Sequence, residues 1–333
     1  MGWRSLLRDD PLPWLLERRD PAVRAMALRS LLDRSSRDPE LREAQQRAMS
    51  VPPISTIIGR QRTDGGWPGP TLHGPKYEST HWANLLLVEY GVDPADPRIR
   101  RAARYVLDQL GSPETGGMDW VFGRDHGVSC FVGNAVRYIA LAGYGADARL
   151  EPLVQRLVRD SKKFDASCFL NGEMPCAWGY ARLIWGLAAL PEGARTREVQ
   201  RTLRRGVEFL LSYRMERGAY PTDSTPSHLW RQLSFPLFYQ ADMLFVLRAI
   251  DAAGEIDDER ALPAIAWLLS RQDPRGRWAG RSPYADRMPS RVDASKWVTL
   301  QVCTVLKHAF PETAPDEAAH PQGHRSAAVW RGT

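Results

Sequence analysis

Apolar and polar positions alternate along this chain in blocks that recur roughly every fifty residues. Some blocks are apolar on nearly every side, as helices enclosed by other helices are, and these predict inner helices at residues 81–90, 130–141, 176–187, 238–249 and 295–306. Between them, apolar residues recur at three- and four-residue steps, which predicts outer helices with one face in water at 97–110, 150–159, 196–213 and 258–270. Residues 22–32 and 39–48 form an earlier pair of the same kind. Strand signals are nearly absent, so we predict an all-α fold.

An aromatic residue marks the turn that precedes each inner helix. Residues 59–67 read Gly-Arg-Gln-Arg-Thr-Asp-Gly-Gly-Trp, and residues 270–278 read Ser-Arg-Gln-Asp-Pro-Arg-Gly-Arg-Trp. Degenerate versions between them place Trp120, Phe169 and Tyr220 at equivalent positions. Because buried inner helices need neighbours on both sides, the repeat predicts a closed ring of helical hairpins. We predict one domain over residues 1–310 and a polar, disordered tail over 311–333.

The two Gln-Gly-Trp segments, residues 61–67 and 272–278, resemble the repeat of the prenyltransferase and squalene-cyclase superfamily. The resemblance covers about residues 20–310. It implies an α/α toroid, with about five to six inner helices surrounded by outer helices. It also implies an enzyme (a lyase, isomerase or transferase) that acts on an apolar, isoprenoid substrate in the cavity of the toroid. The Asp-x-Asp-Asp acid of the class II cyclases is missing from this sequence.

Composition and charge narrow the setting of the protein. The net charge of +6 comes from 45 basic residues scattered among 39 acids without a run of like charge, so we expect no nucleic-acid partner. No apolar stretch is long enough to span a bilayer, which leaves only peripheral membrane contact open. The start lacks the long apolar segment of a signal peptide, and four cysteines at uneven spacing fit a reduced compartment. We therefore predict a cytoplasmic protein.

Three cysteines are expected at the end of the ring where the inner helices begin. Cys130 and Cys176 open successive inner helices, and Cys168 lies in the loop before Cys176. With His81 as the fourth ligand, or alternatively His126, these thiols would form a zinc site. The other interpretation is that the cysteines act as small buried apolar residues and that His81 caps its helix.

Three polar residues near the same helix starts are candidate catalytic groups. Asp242 interrupts an apolar stretch, so it needs a partner or a raised pKa, and Lys296, Arg182 or the metal could supply the partner. We predict Asp242 as an acid, a base or a further ligand, with His81 and Lys296 beside it. Lys296 could instead bind an anionic ligand group.

Aromatic residues on the inner helices could provide an apolar pocket with π faces, suited to an isoprenoid or a developing carbocation. The predicted substrate-binding residues are Trp82, Trp178, Tyr180, Trp185, Tyr239, Trp297 and Arg182. Two other functions stay open. One is a non-catalytic helical scaffold with a structural zinc, and the other is an (α/α) barrel enzyme acting on glycans, for which the inner helices offer only Glu89 and Asp242 as carboxylates.

Overall fold

The computed structural model describes residues 2–110, 128–162, 167–223 and 225–312. The predicted tail beyond residue 312 and the alternative ligand His126 lie outside these residues. The α-helices are α1 (Leu12–Leu15), α2 (Pro21–Ser30), α3 (Pro39–Ser50), α4 (Ile54–Ile58), α5 (Thr80–Glu89), α6 (Pro97–Leu110), α7 (Ser129–Ile139), α8 (Glu151–Lys162), α9 (Ala177–Leu187), α10 (Arg197–Leu211), α11 (Met243–Ala252), α12 (Leu262–Ser270) and α13 (Ala294–Ala309).

The remaining regular elements are short. Two-residue strands β1 (Ser167–Cys168) and β2 (Met174–Pro175) pair antiparallel. A π-helical turn (Ala140–Tyr144) continues α7, and the 3-10 turns are Trp3–Leu6, Ala148–Leu150, Phe169–Asn171, Glu192–Ala194, Met215–Arg217, His228–Arg231, Glu259–Ala261 and Ala285–Arg287. No helix in the described ranges combines the length and the apolar character that crossing a bilayer requires.

The inner helices form a ring. Helix α5 packs on α7, α7 on α9, α9 on α11, α11 on α13, and α13 on α2. Between α2 and α5 the ring closes where Met26 lies against Gly91. Helices α3, α6, α8, α10 and α12 pack around the outside. The predicted all-α ring of hairpins is confirmed: the inner helices α5, α9 and α11 are buried at nearly every position, while the outer helices α3, α6, α8 and α10 keep a charged face in water.

Two of the aromatic turn residues, Trp67 and Trp278, hold their hairpins in the same way, whereas Trp120 lies outside the described residues. The indole N–H of Trp67 donates to the carbonyl of Ile57 at 2.7 Å, and that of Trp278 donates to the carbonyl of Leu268 at 2.6 Å. The backbone N–H of each tryptophan donates to a threonine hydroxyl on the following inner helix, Thr80 and Thr299 respectively. Tyr220 repeats the side-chain bond with its hydroxyl, which donates to the carbonyl of Leu210, also ten residues earlier.

The constant spacing of these bonds explains the repeat in the sequence, because the side chain of each tryptophan binds the preceding helix while its backbone N–H binds the following inner helix. Gln61 also binds the turn, as its amide donates to the carbonyls of Gly65 and Arg98 at 3.0 and 2.9 Å. Gln272 acts differently, as its oxygen accepts from the backbone N–H of Arg8 in the N-terminal segment.

One predicted boundary is wrong. The sequence pattern starts an inner helix at residue 238, but α11 begins at Met243. The apolar residues before it, Phe235 and Phe238 among them, are buried in an irregular segment that follows the 3-10 turn at residues 228–231. Asp242 is consequently the N-cap of α11, and its side chain accepts from the backbone N–H of Phe245 at 2.8 Å. Apolar periodicity cannot distinguish a buried loop from a buried helix, since both exclude polar side chains.

Candidate active site

The three predicted thiols line one cavity at the start of α7 and α9. Cys130 is the second residue of α7 and Cys176 is the N-cap of α9. Cys168 joins them because β1 and β2 fold back on each other, with Cys168 paired to Met174, two residues before Cys176. The cavity has a volume of about 230 Å³. The hairpin is thus the element that brings a loop thiol onto the two helix ends.

The rest of the cavity wall is mainly apolar and aromatic. Trp178 on α9 and Tyr239 ahead of α11 form one side, with ring centroids 6.2 Å apart, and Tyr220 and Trp230 form another, 5.1 Å apart. Leu170, at the tip of the hairpin, is 75% exposed while lining the same cavity. An exposed leucine beside an aromatic pocket is a surface that an apolar ligand would cover.

The three thiols differ in acidity. The pKa of Cys168 is lowered, chiefly because the thiol of Cys176 donates a hydrogen bond to its sulfur, with further donation from the backbone N–H groups of Leu170 and Asn171. The pKa of Cys176 is raised for the reciprocal reason, since it is the donor, and burial adds to the effect. Burial also raises the pKa of Cys130, to about 12. Cys168 is therefore the most acidic of the three thiols.

This asymmetry predicts selective alkylation. We expect iodoacetamide to modify Cys168 first, with a rate that levels off at a pH well below the ~8.5 of an ordinary cysteine. Replacing the donor in Cys176→Ala should raise the pKa of Cys168 and slow its alkylation at pH 7 roughly tenfold. Peptide mapping by mass spectrometry measures the rates, and Cys303→Ala, in the core of α13, is the control. Equal alkylation of Cys130 and Cys168 would contradict the assignment.

The zinc hypothesis rests on these thiols and on His81. Within the described ranges, no group of three or more histidine, cysteine or acidic side chains is arranged as a metal site. The thiols share a cavity, but the ring of His81 stacks on Phe131 at 5.3 Å and meets Tyr138 edge-on at 5.7 Å. The residues in this geometry do not fit a zinc ion, and we derive no chemical step through one. The predicted zinc stays a prediction, which elemental analysis of the purified protein tests.

His81 is a buried neutral imidazole. Burial lowers its pKa to about 3, with smaller contributions from His73 and Arg182. Its Nδ1 lies 3.4 Å from the hydroxyl of Tyr138, and its Nε2 has no hydrogen-bond partner in the part of the chain that the structure describes. A neutral ring of this kind can accept or donate one hydrogen bond but cannot serve as a cation at physiological pH.

Aromatic side chains fill the space between His81 and the thiol cavity. Trp82 meets Phe131 at 5.2 Å, and Phe131 stacks on Tyr239 at 5.7 Å. Tyr77, from the loop before α5, packs on Trp82 and Phe238 at 5.3 and 4.5 Å. Trp82 therefore packs behind the residues that line the cavity, whereas Trp178 and Tyr239 are themselves part of the lining.

Asp242 and Lys296 are bound to other partners than those predicted. The carboxylate of Asp242 accepts from the backbone N–H groups of Ser234 and Phe245, both at 2.8 Å, and burial raises its pKa to about 7. The ammonium of Lys296 lies 2.6 Å from Glu17 and 2.5 Å from Asp20 in the N-terminal segment. Of the three partners considered for Asp242, Lys296 is excluded, because a segment almost the whole chain away supplies its counter-charges.

The other predicted substrate-binding residues do not line the thiol cavity. Tyr180 stacks on Phe209 of the outer helix α10 at 4.2 Å, and Trp297 stacks on Phe235 at 4.4 Å. Arg182 is fully buried beneath the cavity, where it donates to Asn134 and to the carbonyl of Gln240. Trp185 is near the last turn of α9 and lines a different cavity at the other end of the helix.

Sequence reasoning missed two charged groups near the thiol cavity. Lys76 donates to the hydroxyl of Tyr239 at 2.9 Å, and its ammonium lies 4.5 Å from the centre of that ring. Asp160 accepts from Ser129, the residue before Cys130, at 2.7 Å and pairs with Arg156 at 2.9 Å. Lys76 lies in a loop with no periodic pattern and Asp160 sits on an outer helix, so neither position stands out in the sequence.

Comparison with known proteins gives a structural similarity but no matching sequence. No family model matches the sequence, and no curated protein matches it. The chain is similar to a solved structure of a type II terpene cyclase from Scytonema in complex with its product, merosterolic acid A. The identity is 13% and the TM-score 0.29, over 78% of this chain and 95% of the other. A similarity at this level does not establish a shared family or activity.

Proposed function

We propose that the protein is an enzyme of the terpene cyclase and prenyltransferase kind, with an isoprenoid substrate bound in the thiol cavity. The observation that carries the proposal is the cavity itself, in which aromatic rings and thiols surround an apolar space at the rim of a helical ring. Its volume of about 230 Å³ lies just below the roughly 300–1,000 Å³ of typical ligand pockets, so it suits a short isoprenoid chain or one end of a longer one.

The aromatic walls suit the chemistry of such substrates. The faces of Trp178 and Tyr239 carry partial negative charge, which stabilises an allylic cation in the cavity by roughly 0.5–2 kcal/mol per ring. The lowered pKa of Cys168 favours its thiolate, which would add a negative charge beside them. As a nucleophile, this thiolate would attack the cationic carbon of the substrate, whereas as a spectator it would stabilise the cation electrostatically.

Lys76 could bind the anionic group of such a substrate. Its ammonium is held at the cavity rim by the hydroxyl of Tyr239, with its charge in solvent. A diphosphate at this place would receive a charge-assisted hydrogen bond, while the isoprenoid chain enters the apolar space below. The substrate class that fits the site is therefore a prenyl diphosphate.

Farnesyl diphosphate and farnesol, which lacks the diphosphate, test the Lys76 ammonium and the apolar cavity separately. Both can occupy the cavity, but only the first can bind Lys76 through a diphosphate. We expect both to raise the melting temperature, the diphosphate more strongly. Lys76→Met should weaken the binding of farnesyl diphosphate roughly three- to tenfold and leave the binding of farnesol unchanged. Trp178→Ala should weaken both about tenfold, and Trp267→Ala on the outer helix α12 is the control.

Two outcomes would contradict the proposal. A shift with neither ligand would favour the scaffold function, and a shift only with oligosaccharides would favour the glycan enzyme. The structure lends the latter no support, because Glu89 is paired with Arg248 and Asp242 caps a helix, and neither lines the thiol cavity.

A further inference from the structure

A second cavity lies at the opposite end of α7 and α9 from the thiols. Its volume is about 250 Å³, and its lining comes from the later turns of α5, α7, α9 and α11 together with α2 and α13. All six helices of the inner ring therefore contribute to one site. Because neighbouring hairpins are far apart in sequence, only the closed ring can assemble it.

Two arginines and one tryptophan form the polar part of this cavity. The guanidinium carbon of Arg137 lies 3.4 Å from the ring centre of Trp185, and that of Arg248 lies 4.7 Å from it. Arg248 contacts the carboxylate of Glu89 at 3.3 Å. Arg137 donates to the backbone carbonyl of Trp185 at 3.0 Å. Of the two cations, only Arg248 is therefore in direct contact with a carboxylate.

The other acids nearby are already occupied. Asp251, at the edge of the cavity, is bound by the imidazole of His308 at 2.8 Å. The oxygens of Asp242 accept backbone N–H groups, as described above. Burial lowers the pKa of Arg137 to about 9, and the charge of Arg248 contributes to this shift. The cavity is therefore short of negative charge.

Three buried polar atoms in this cluster have no hydrogen-bond partner among the described residues. They are Nε of Arg137, the indole N–H of Trp185 and Oε1 of Glu89. The side chain of Glu89 is 2% exposed, and Trp185 is 7% exposed. Buried polar groups are nearly always paired, and an unpaired one costs roughly 1–3 kcal/mol, so groups of this kind point to a ligand.

Helix capping explains only in part why arginines lie at these helix ends. The carbonyls at the ends of these helices attract cations, and Arg137 serves one of them. A guanidinium has five N–H donors, so capping leaves Arg137 able to bind an oxyanion as well. A cationic ligand is disfavoured, because two guanidinium groups already lie over the indole that would otherwise attract it.

We propose that this cavity binds a compact molecule with an oxyanion at one end and an apolar body. Arg137 and Arg248 bind the oxyanion, the indole N–H of Trp185 donates a further hydrogen bond, and Val88 and Leu300 contact the apolar body. A hydroxyl on the ligand would donate to Glu89. The site is separate from the thiol cavity, so it stands or falls independently of the isoprenoid proposal.

Probes of one shape and different charge test the site. Benzoate, phenyl phosphate and benzylamine are titrated into the full chain by isothermal titration calorimetry. We expect at least one of the two anions to bind and benzylamine not to bind, and the stronger anion tells whether the natural ligand carries a carboxylate or a phosphate. Binding of neither anion, or binding of benzylamine at equal strength, would overturn the proposal.

Variants locate the binding. Arg137→Met should weaken the binding of the anion roughly ten- to hundredfold, because a charge-assisted hydrogen bond is lost. Trp185→Phe keeps an aromatic ring and removes only the N–H, so a loss of about tenfold is expected even if Arg137→Met fails to fold. Arg271→Met, which removes an arginine lying over Trp267 on α12, is the matched control. Anion binding that both cavity variants leave unchanged would place the anion elsewhere and refute the site.

Discussion

Replacing Gly186 with alanine is expected to destabilise the protein strongly, whereas the same change at Gly179 on the same helix should not. Helices α7 and α9 touch backbone to backbone at this crossing. A Cβ atom on Gly186 would lie 2.4 Å from the carbonyl oxygen of Gly133, and one on Gly133 would lie 2.2 Å from the carbonyl oxygen of Arg182. Backbone atoms cannot move aside as a flexible side chain can, so the two inner helices must separate.

The expected cost of Gly186→Ala is about 1–3 kcal/mol or more, the usual range for overpacking a core. At Gly179 the nearest atoms to an added Cβ are those of Cys176 and Ser129, at 3.6 and 3.8 Å, which is ordinary contact. Gly179→Ala should therefore be neutral or stabilising by about 0.5–1 kcal/mol, since alanine is the better helix former. Thermal unfolding followed by circular dichroism compares the two variants. Equal melting temperatures would show that the helices are not in such close contact.

Removing the partners of Lys296 is expected to cost more than removing Lys296 itself. The lysine side chain is 0% exposed, while Glu17 and Asp20 are 37% and 32% exposed. The double variant Glu17→Gln, Asp20→Asn leaves a buried ammonium without a counter-charge, which costs roughly 3–5 kcal/mol. Lys296→Met replaces the ammonium by an apolar group of similar length, and both acids can return to water. Its cost should stay below about 1 kcal/mol.

The same ion pair predicts a dependence of stability on pH. The hydrogen bond from Lys296 lowers the pKa of Glu17 in the folded protein. A lowered carboxyl pKa stabilises the fold above the pKa of the unfolded chain, and that stability is lost as the pH falls through the folded value. Lys296→Met should therefore unfold with less sensitivity to acid below about pH 4.3 than the parent protein. If Lys296→Met were as unstable as the double variant, the buried charge would not be the cause.

The cavities at the two ends of the ring differ in the chemistry of their lining residues. At the end where α7 and α9 begin, a hairpin adds a thiol to two helix starts, and the lining is mainly apolar. At the other end, arginines meet over a tryptophan with few carboxylates to balance them. Aromatic rings such as Trp82 and Phe238 pack between the ends, at 5.5 Å from each other. On the two proposals made above, ligands of different chemistry would bind at the two ends without competing.

The sequence alone determined the architecture. Its apolar periodicity predicted the inner and outer helices, and residues 97–110 match α6 from end to end. The aromatic turn residues were recognisable because their bonds are local: Trp67 and Trp278 each bind a carbonyl ten residues earlier. Interactions between residues close in sequence leave a pattern that recurs with every hairpin, and such a pattern can be identified from one chain.

Which side chains meet could not be read from the sequence and depends on the packing of the whole ring. Cys168 joins Cys130 and Cys176 as predicted, but Lys296 binds Glu17, 279 residues away, and Trp185 faces the opposite end of its helix from Cys176. The reason is physical: an inner helix is apolar on all sides, so its composition does not tell which neighbour each side chain faces. That choice depends on how the closed ring rotates and offsets each helix, and packing across the whole ring sets both.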